Sequence, residues 1–170
     1  MKTLYVLRHA KSSWDNADVA DFDRPLNERG RSTAVFMGEL MKREEYAPEL
    51  ILASPARRAR ETVELVKKAA ALTAEIKFKE RIYEARPQTL QQVVLALDDR
   101  SDSALIVGHN PGMEGFVRLL TGRTEELPTA ALAIIDLDIA GWEQIVSDKL
   151  GKLRKVIRPK DEMKTLGKGK

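Results

Sequence analysis

A chain of 170 residues has room for one domain with a single substantial core, and a hydrophobic content of 43% separates it from disordered sequences. No apolar run approaches a membrane span, the run after Lys2 is too short for a signal peptide, and without cysteine there is neither a disulfide framework nor thiolate chemistry, so a cytoplasmic protein is expected. The formal net charge of +3 sits mostly in a tail, where Lys160 to Lys170 holds four Lys against Asp161 and Glu162; with 5% aromatic residues and no basic stripe, nucleic acid is not expected as a partner.

The first element is the apolar run Leu4-Tyr5-Val6-Leu7, which reads as a strand buried on both faces. It changes abruptly to Arg8-His9-Ala10-Lys11-Ser12-Ser13-Trp14. A cation and an imidazole delivered to the end of a buried strand are costly unless they act there. In open α/β sheets, ligands bind at that end. His9 is therefore expected to be a nucleophile and Arg8 to grip the phosphoryl group it attacks, with Ser12 nearby to bind phosphate. The plainer alternative is a hydrogen-bonded turn without chemistry.

An acidic, irregular loop follows from Asp15 to Asp23. Arg24-Pro25-Leu26-Asn27 ends it, and Asn27 is a good N-cap for the next helix. Thr33, Phe36, Met37, Leu40 and Met41 make one apolar stripe of that helix. Arg24 and Arg29 can look into the mouth of the site, or be solvated.

Glu49 to Ala53 reads as a second buried strand. Ser54 as N-cap and Pro55 at the first helical position predict a helix whose inward face is Ala59, Val63, Val66 and Ala70. Arg57, Arg58 and Arg60 crowd its first turns, where the helix dipole disfavours cations unless something anionic is near. By spacing, Arg58 reaches the strand end, whereas Arg57 and Arg60 read as outward partners of Glu61 or Glu64.

Ile76 and Phe78 predict a short half-exposed strand, and Pro87-Gln88-Thr89 opens a helix with Leu90, Val93, Val94 and Leu97 inward. Ala104 to Gly108 is a third buried strand, ending in His109-Asn110-Pro111-Gly112. Asn110 as cap and Pro111 at the first position predict a helix over Met113, Phe116, Val117 and Leu120. Ala131–Asp138, Trp142–Val146 and Leu153–Ile157 read as strands, the last two nearer an edge. Residues 1–158 are expected to form a single domain, and residues 159–170 a flexible basic tail.

The chain contains two histidines, and each directly follows an apolar strand. In a parallel sheet the ends of all three buried strands lie along one edge, so Arg8, His9, Arg58 and His109 can converge there beside two helix N-termini. Helix N-termini with nearby Arg suit phosphate.

At this point the sequence resembles the histidine phosphatase superfamily, and most closely its small SixA-type phosphohistidine phosphatase branch. The residues that carry the resemblance are Leu7-Arg8-His9-Ala10, Arg24-Pro25-Leu26 with Arg29-Gly30, Ser54-Pro55-Ala56-Arg57-Arg58-Ala59 with Thr62, and Val107-Gly108-His109-Asn110-Pro111. The resemblance implies a three-layer α/β/α sandwich around a mostly parallel central sheet, the phosphoglycerate mutase-like fold. It implies that His9 accepts the phosphoryl group and that Arg8, Arg58 and His109 bind its oxygens. Two points depart from the family pattern. Ala10 stands where the family commonly has Gly, which narrows the pocket slightly and leaves an amide able to donate. The general acid common in the family has a candidate in Glu84 by position, with Glu80 a weaker one, and a surface-loop role for Glu84 as the alternative.

The expected chemistry is two-step phosphoryl transfer through a phosphohistidine, with no metal and no cofactor. It needs His9 neutral and His109 charged, so their environments should push the two pKa values apart. Glu84 bears on the substrate. An alkoxide leaving group needs an acid, and an imidazole leaving from phosphohistidine needs one much less. The expected substrate is a phosphohistidine protein. A small phosphomonoester, or a phospho-binding module without turnover, is the alternative, and the oligomeric state is left open.

Overall fold

The computed structural model describes residues 1–146 and 149–168. The run of apolar residues at the start of the chain forms β1 (Lys2–Arg8), which lies between two other strands and is buried on both faces. Leu4 and Val6 enter one core, while Tyr5 and Leu7 enter the other. That split follows from the two-residue period of a strand.

The remaining strands are β2 (Leu50–Ala53), β3 (Ile76–Phe78), β4 (Ser103–Gly108), β5 (Leu132–Leu137) and β6 (Gly151–Ile157). They form one sheet in the order β3-β2-β4-β1-β5-β6. Parallel ladders join β3 to β2, β2 to β4 and β4 to β1, whereas β5 runs antiparallel to both of its neighbours. β1, β2 and β4, each with an apolar central run, lie inside the sheet, as parallel strands covered on both faces must.

Helices α1 (Glu28–Arg43) and α2 (Arg57–Ala70) cover one face. Helices α3 (Pro87–Leu95) and α4 (Gly112–Thr121) cover the other. The result is a three-layer α/β/α sandwich with a mostly parallel sheet. The expected inward residues of α2 and α4 are all buried. Asn27 caps α1 by accepting a hydrogen bond from the Gly30 amide (2.8 Å). Gly30 is needed for a close approach, since a Cβ there would overlap the Lys11 carbonyl oxygen just beyond β1. This contact sets the first turn of α1 against the segment that follows His9.

Three expectations are corrected. Trp142–Val146 is not a strand, because residues Trp142–Gln144 form a 3-10 turn. Trp142 and Ile145, three residues apart, are both fully buried, and the Trp142 indole donates to the Ser101 carbonyl (2.9 Å). A helix with three residues per turn puts both side chains on one face. Of the expected tail, Gly169 and Lys170 lie outside the described residues, and residues Pro159–Lys168 form a helix instead, α5, which lies against α1. Its Pro159 start, followed by Asp161 and Glu162 in the first turn, suits a helix N-terminus. Finally, Ser54 does not cap its helix, which starts at Arg57, whereas Asn110, although α4 starts at Gly112, accepts a hydrogen bond from the first-turn Glu114 amide through Oδ1 (3.3 Å) as a cap does.

Candidate active site

The ladder registers bring the ends of β1, β2 and β4 level. Arg8 pairs with Gly108, and Ala53 pairs with Val107. The next residues are stitched together in the same way: the His9 amide donates to the Gly108 carbonyl (3.0 Å) and the Ser54 amide to the Val107 carbonyl (3.0 Å). His9 and His109 therefore leave neighbouring strands side by side, with their ring centres 5.1 Å apart. Both are buried, as are Arg58 and Arg24.

His9 Nδ1 lies 2.7 Å from the Ala10 carbonyl oxygen. A carbonyl only accepts, so Nδ1 carries the proton and the neutral ring keeps its lone pair on Nε2. Burial pushes the His9 pKa down to about 3, helped by His109, Arg58 and Arg8 and opposed by the bond to Ala10. Burial and then Arg58 push His109 down to about 4, with Asp21 opposing. The expected split between a neutral and a charged imidazole is thus absent: both rings are neutral at pH 7. The physical reason is that each sits dry among guanidinium groups.

Arg8 donates through Nη1 to the Leu127 carbonyl (3.1 Å). The same carbonyl accepts from Asn110 Nδ2 (2.9 Å), and Glu114 Oε1 accepts from both Asn110 Nδ2 and the Leu127 amide (2.9 Å each). Asn110 thus braces the segment that holds Arg8, a use that its reading as a cap did not reveal. His109 Nε2 lies 2.7 Å from the Ser54 hydroxyl, which also accepts from the Ala56 amide (3.2 Å). Ser54 orients a histidine, and α2 begins later for that reason.

Among the described residues, three buried side-chain nitrogens have no hydrogen-bond partner: Arg8 Nε, Arg58 Nε and His109 Nδ1. Buried polar atoms are ordinarily satisfied, so exceptions need a cause. Here all three belong to the residues expected to bind phosphoryl oxygens. A cleft of about 650 Å3 opens over the site, lined by Asp21, Arg58, Glu84, Arg86, His109 and Pro111 among others. His9 is not among the lining residues, and its ring centre is 5.1 Å from that of His109, which is one of them.

Arg24 reaches the site through Asp21. Its Nε donates to Asp21 Oδ1 (3.3 Å), and its guanidinium lies 3.4 Å from the centre of the Trp14 ring. Glu84 is exposed on the cleft wall in a left-handed backbone conformation (φ 53°). Ser12 is buried and bridges Leu26 through its backbone, away from the cleft wall. Arg29 does not face the cleft either, and lines a separate groove with Lys11 and the start of α5. The Ala10 amide is not free, because it donates to Thr62 Oγ1 (3.0 Å). The Ala10 methyl is fully buried in the α1/α2 core, so it does not narrow the pocket.

The sequence profile of the histidine phosphatase superfamily (branch 1) matches residues 4–92. The chain belongs to that superfamily. It resembles an uncharacterized protein of Mycobacterium leprae at 32% identity, over 82% of this chain and 91% of that protein. Among solved structures, a protein of Agrobacterium tumefaciens assigned as the phosphohistidine phosphatase SixA superposes with a TM-score of 0.80 at 30% identity, covering 93% of this chain and 98% of that one. The protein histidine phosphatase SixA complexed with tungstate shares the fold with a TM-score of 0.82 at 23% identity, covering 94% and 99%. This histidine phosphatase is of the SixA type. The profile match takes in Arg8, His9, Arg58 and Glu84, while His109 lies beyond it and joins the site through the β1–β4 ladder.

Sequence reasoning missed Asp21, Tyr83 and Glu114. Asp21 precedes Arg24 by three residues inside an acidic loop, which reads as solvated. Tyr83 donates to it across 62 residues of chain, at 2.6 Å. Glu114 carried a usable signal, since it follows Asn110 by four residues at the start of a helix.

Proposed function

We propose that this phosphatase works without a metal through a phosphohistidine on His9 and that its substrate is a phosphohistidine protein. The observation that carries the reading is the tautomer of His9. The Ala10 carbonyl takes Nδ1–H, so the lone pair of Nε2 is available at pH 7.

In the first step an Nε2–P bond forms as the bond from phosphorus to the leaving nitrogen breaks, and the leaving imidazole, which carries a proton on its other ring nitrogen, takes that electron pair and departs neutral. The positive charge that develops on His9 is shared with the Ala10 carbonyl through Nδ1–H. In the second step a water oxygen bonds to phosphorus, the P–Nε2 bond breaks, and inorganic phosphate leaves. The transferred group spreads its charge over three equatorial oxygens. Arg8 and Arg58 offer fixed positive charge there. A phosphoryl dianion beside His109 reverses the sign of its surroundings and favours the protonated ring, whose Nδ1–H then becomes a third donor.

Two facts support a phosphohistidine over a phosphoester. Two solved structures that share the fold, with TM-scores of 0.80 and 0.82, bear the names phosphohistidine phosphatase and protein histidine phosphatase. Of the two carboxylates on the cleft wall, Asp21 is held ionised by its bonds from Tyr83 and Arg58, and Glu84, the candidate for the acid that an ester needs, is exposed rather than buried beside His9. A small-molecule phosphomonoester is the second reading, favoured by that same position of Glu84 on the wall and by the mycobacterial glucosyl-3-phosphoglycerate phosphatase that shares the fold (TM-score 0.65, 14% identity). The test is a screen of phosphohistidine peptide against phosphomonoesters, on wild type and Glu84→Gln. Phosphohistidine turnover that survives Glu84→Gln supports the first reading, and ester turnover that Glu84→Gln abolishes supports the second.

A further inference from the structure

We propose that Asp21 is a positioning residue for phosphoryl transfer, one carboxylate that turns Arg58 and braces the His109 wall from the far side of the cleft. The proposal rests on the reading of His9 as nucleophile and of Arg58 as a phosphoryl ligand.

Asp21 lies in a 3-10 turn (Asp21–Asp23) in the connection between β1 and α1. It accepts four hydrogen bonds from three side chains. Arg58 Nη1 donates to its carbonyl oxygen (2.7 Å) and Arg58 Nη2 to Oδ2 (3.1 Å). The Tyr83 hydroxyl donates to the same Oδ2 (2.6 Å), and Arg24 Nε donates to Oδ1 (3.3 Å). Three separate segments of chain therefore meet on one residue: the β1–α1 connection, the first turn of α2, and the stretch between β3 and α3.

The consequence for Arg58 is geometric. A guanidinium offers five N–H donors in a fixed fork. Asp21 engages both terminal nitrogens and leaves Nε, the atom without a partner. Arg58 thus presents one defined edge, and its terminal fork is withheld. The Nη1 bond goes to the main-chain carbonyl and survives a side-chain substitution, whereas loss of the carboxylate frees Nη2, and the guanidinium can then meet an oxyanion through Nη2 in another orientation.

The consequence for His109 runs through Tyr83. The Tyr83 ring stands edge-on to His109 (5.4 Å, 80°), and Phe22, next to Asp21, stands edge-on to Tyr83 (5.1 Å, 89°). Glu84 follows Tyr83 directly, in its left-handed conformation. The hydroxyl bond to Asp21 therefore fixes the wall that holds His109 and aims Glu84.

Charge separates positioning from simple binding. The Arg58 and Arg24 side chains are 7% and 8% exposed, whereas that of Asp21 is 46% exposed. Asp21 is the acidic partner of both Arg24 and Arg58 among the described ion pairs. Its removal leaves more uncompensated positive charge at the cradle, so a bare anion should bind at least as well. The chemical step should suffer, because it needs alignment.

The experiment uses the full chain as wild type, Asp21→Ala, Asp21→Asn and Tyr83→Phe. It measures kcat and KM on phosphohistidine peptide and on a chromogenic aryl phosphate, and the inhibition constant of inorganic phosphate. Asp21→Ala should lower kcat roughly 100-fold, the size of an alignment error, with phosphate inhibition unchanged or tighter. Asp21→Asn should shift in the same direction and serves as the reading if the alanine variant does not fold. Tyr83→Phe, which removes one bond of the four, should lower kcat by about tenfold or less. A kcat within about threefold of an active wild type in both Asp21 variants overturns this assignment alone. So does a loss of phosphate affinity equal to the loss of kcat, which makes Asp21 part of the binding framework instead. A wild type that turns over no phosphoryl donor overturns the phosphatase reading, and this assignment with it.

Discussion

His9 Nδ1 and the Ala10 carbonyl oxygen are 2.7 Å apart, within one dipeptide unit. The contact is local, so the strand geometry at the end of β1 is enough to set it. It fixes which nitrogen of His9 can attack, before any other residue contributes. Of the groups that must meet the phosphoryl oxygens, Arg8 is the residue before His9, whereas Arg58 and His109 come from further away, on α2 and after β4.

Arg58→Ala should lower kcat/KM by roughly 100- to 1,000-fold, the usual cost of removing one donor that stabilises developing charge. Arg58→Lys should not restore the rate, because an ammonium cannot bond Asp21 with two nitrogens and still present Nε. Steady-state kinetics on both variants checks this, with far-ultraviolet circular dichroism as the control for folding. Recovery of most of the rate by lysine would show that charge alone suffices.

Stability should fall with acid through the histidines. In the folded protein His109 has a pKa of about 4 and His9 of about 3, both below the ordinary value near 6.5. The unfolded chain therefore binds more protons between about pH 6.5 and pH 4, and stability is lost as pH falls through that window. His109 alone should account for about 2 kcal/mol between pH 7 and pH 5. Urea unfolding at the two pH values tests it: the drop should be smaller in His109→Gln by about that amount. An equal drop in the variant would show that His109 titrates normally.

Catalysis should be insensitive to chelators. Arg8 and Arg58 supply the fixed positive charge that a metal ion would otherwise provide. Full activity after dialysis against EDTA is the expected result. Strong inhibition that added divalent metal reverses would contradict it.

Much of the architecture was legible because three apolar runs, ending at Leu7, Ala53 and Gly108, have the signature of parallel strands covered on both faces. Their abrupt change to Arg, His and Ser marked the site edge. What failed was local competition. Ser54 looks like a helix cap, yet its hydroxyl takes the Ala56 amide and meets His109, so α2 starts at Arg57. Trp142 and Ile145 pack with a helical spacing inside a segment too short to reveal it. Asp21 was invisible for a different reason: its partners Arg58 and Tyr83 are 37 and 62 residues away, and no local pattern records them. The neutral ring of His109 in the free protein has no local signal either, since it follows from burial and from Arg58, Arg8 and Arg24, which meet it only in the fold.

The most direct measurement is rapid quench at alkaline pH during turnover, followed by mass spectrometry of the protein. The expected result is an acid-labile phosphoryl group on His9, absent from a folded and inactive His9→Ala variant. Turnover by His9→Ala near the wild-type rate, or a phosphoryl group trapped on another side chain, would contradict it.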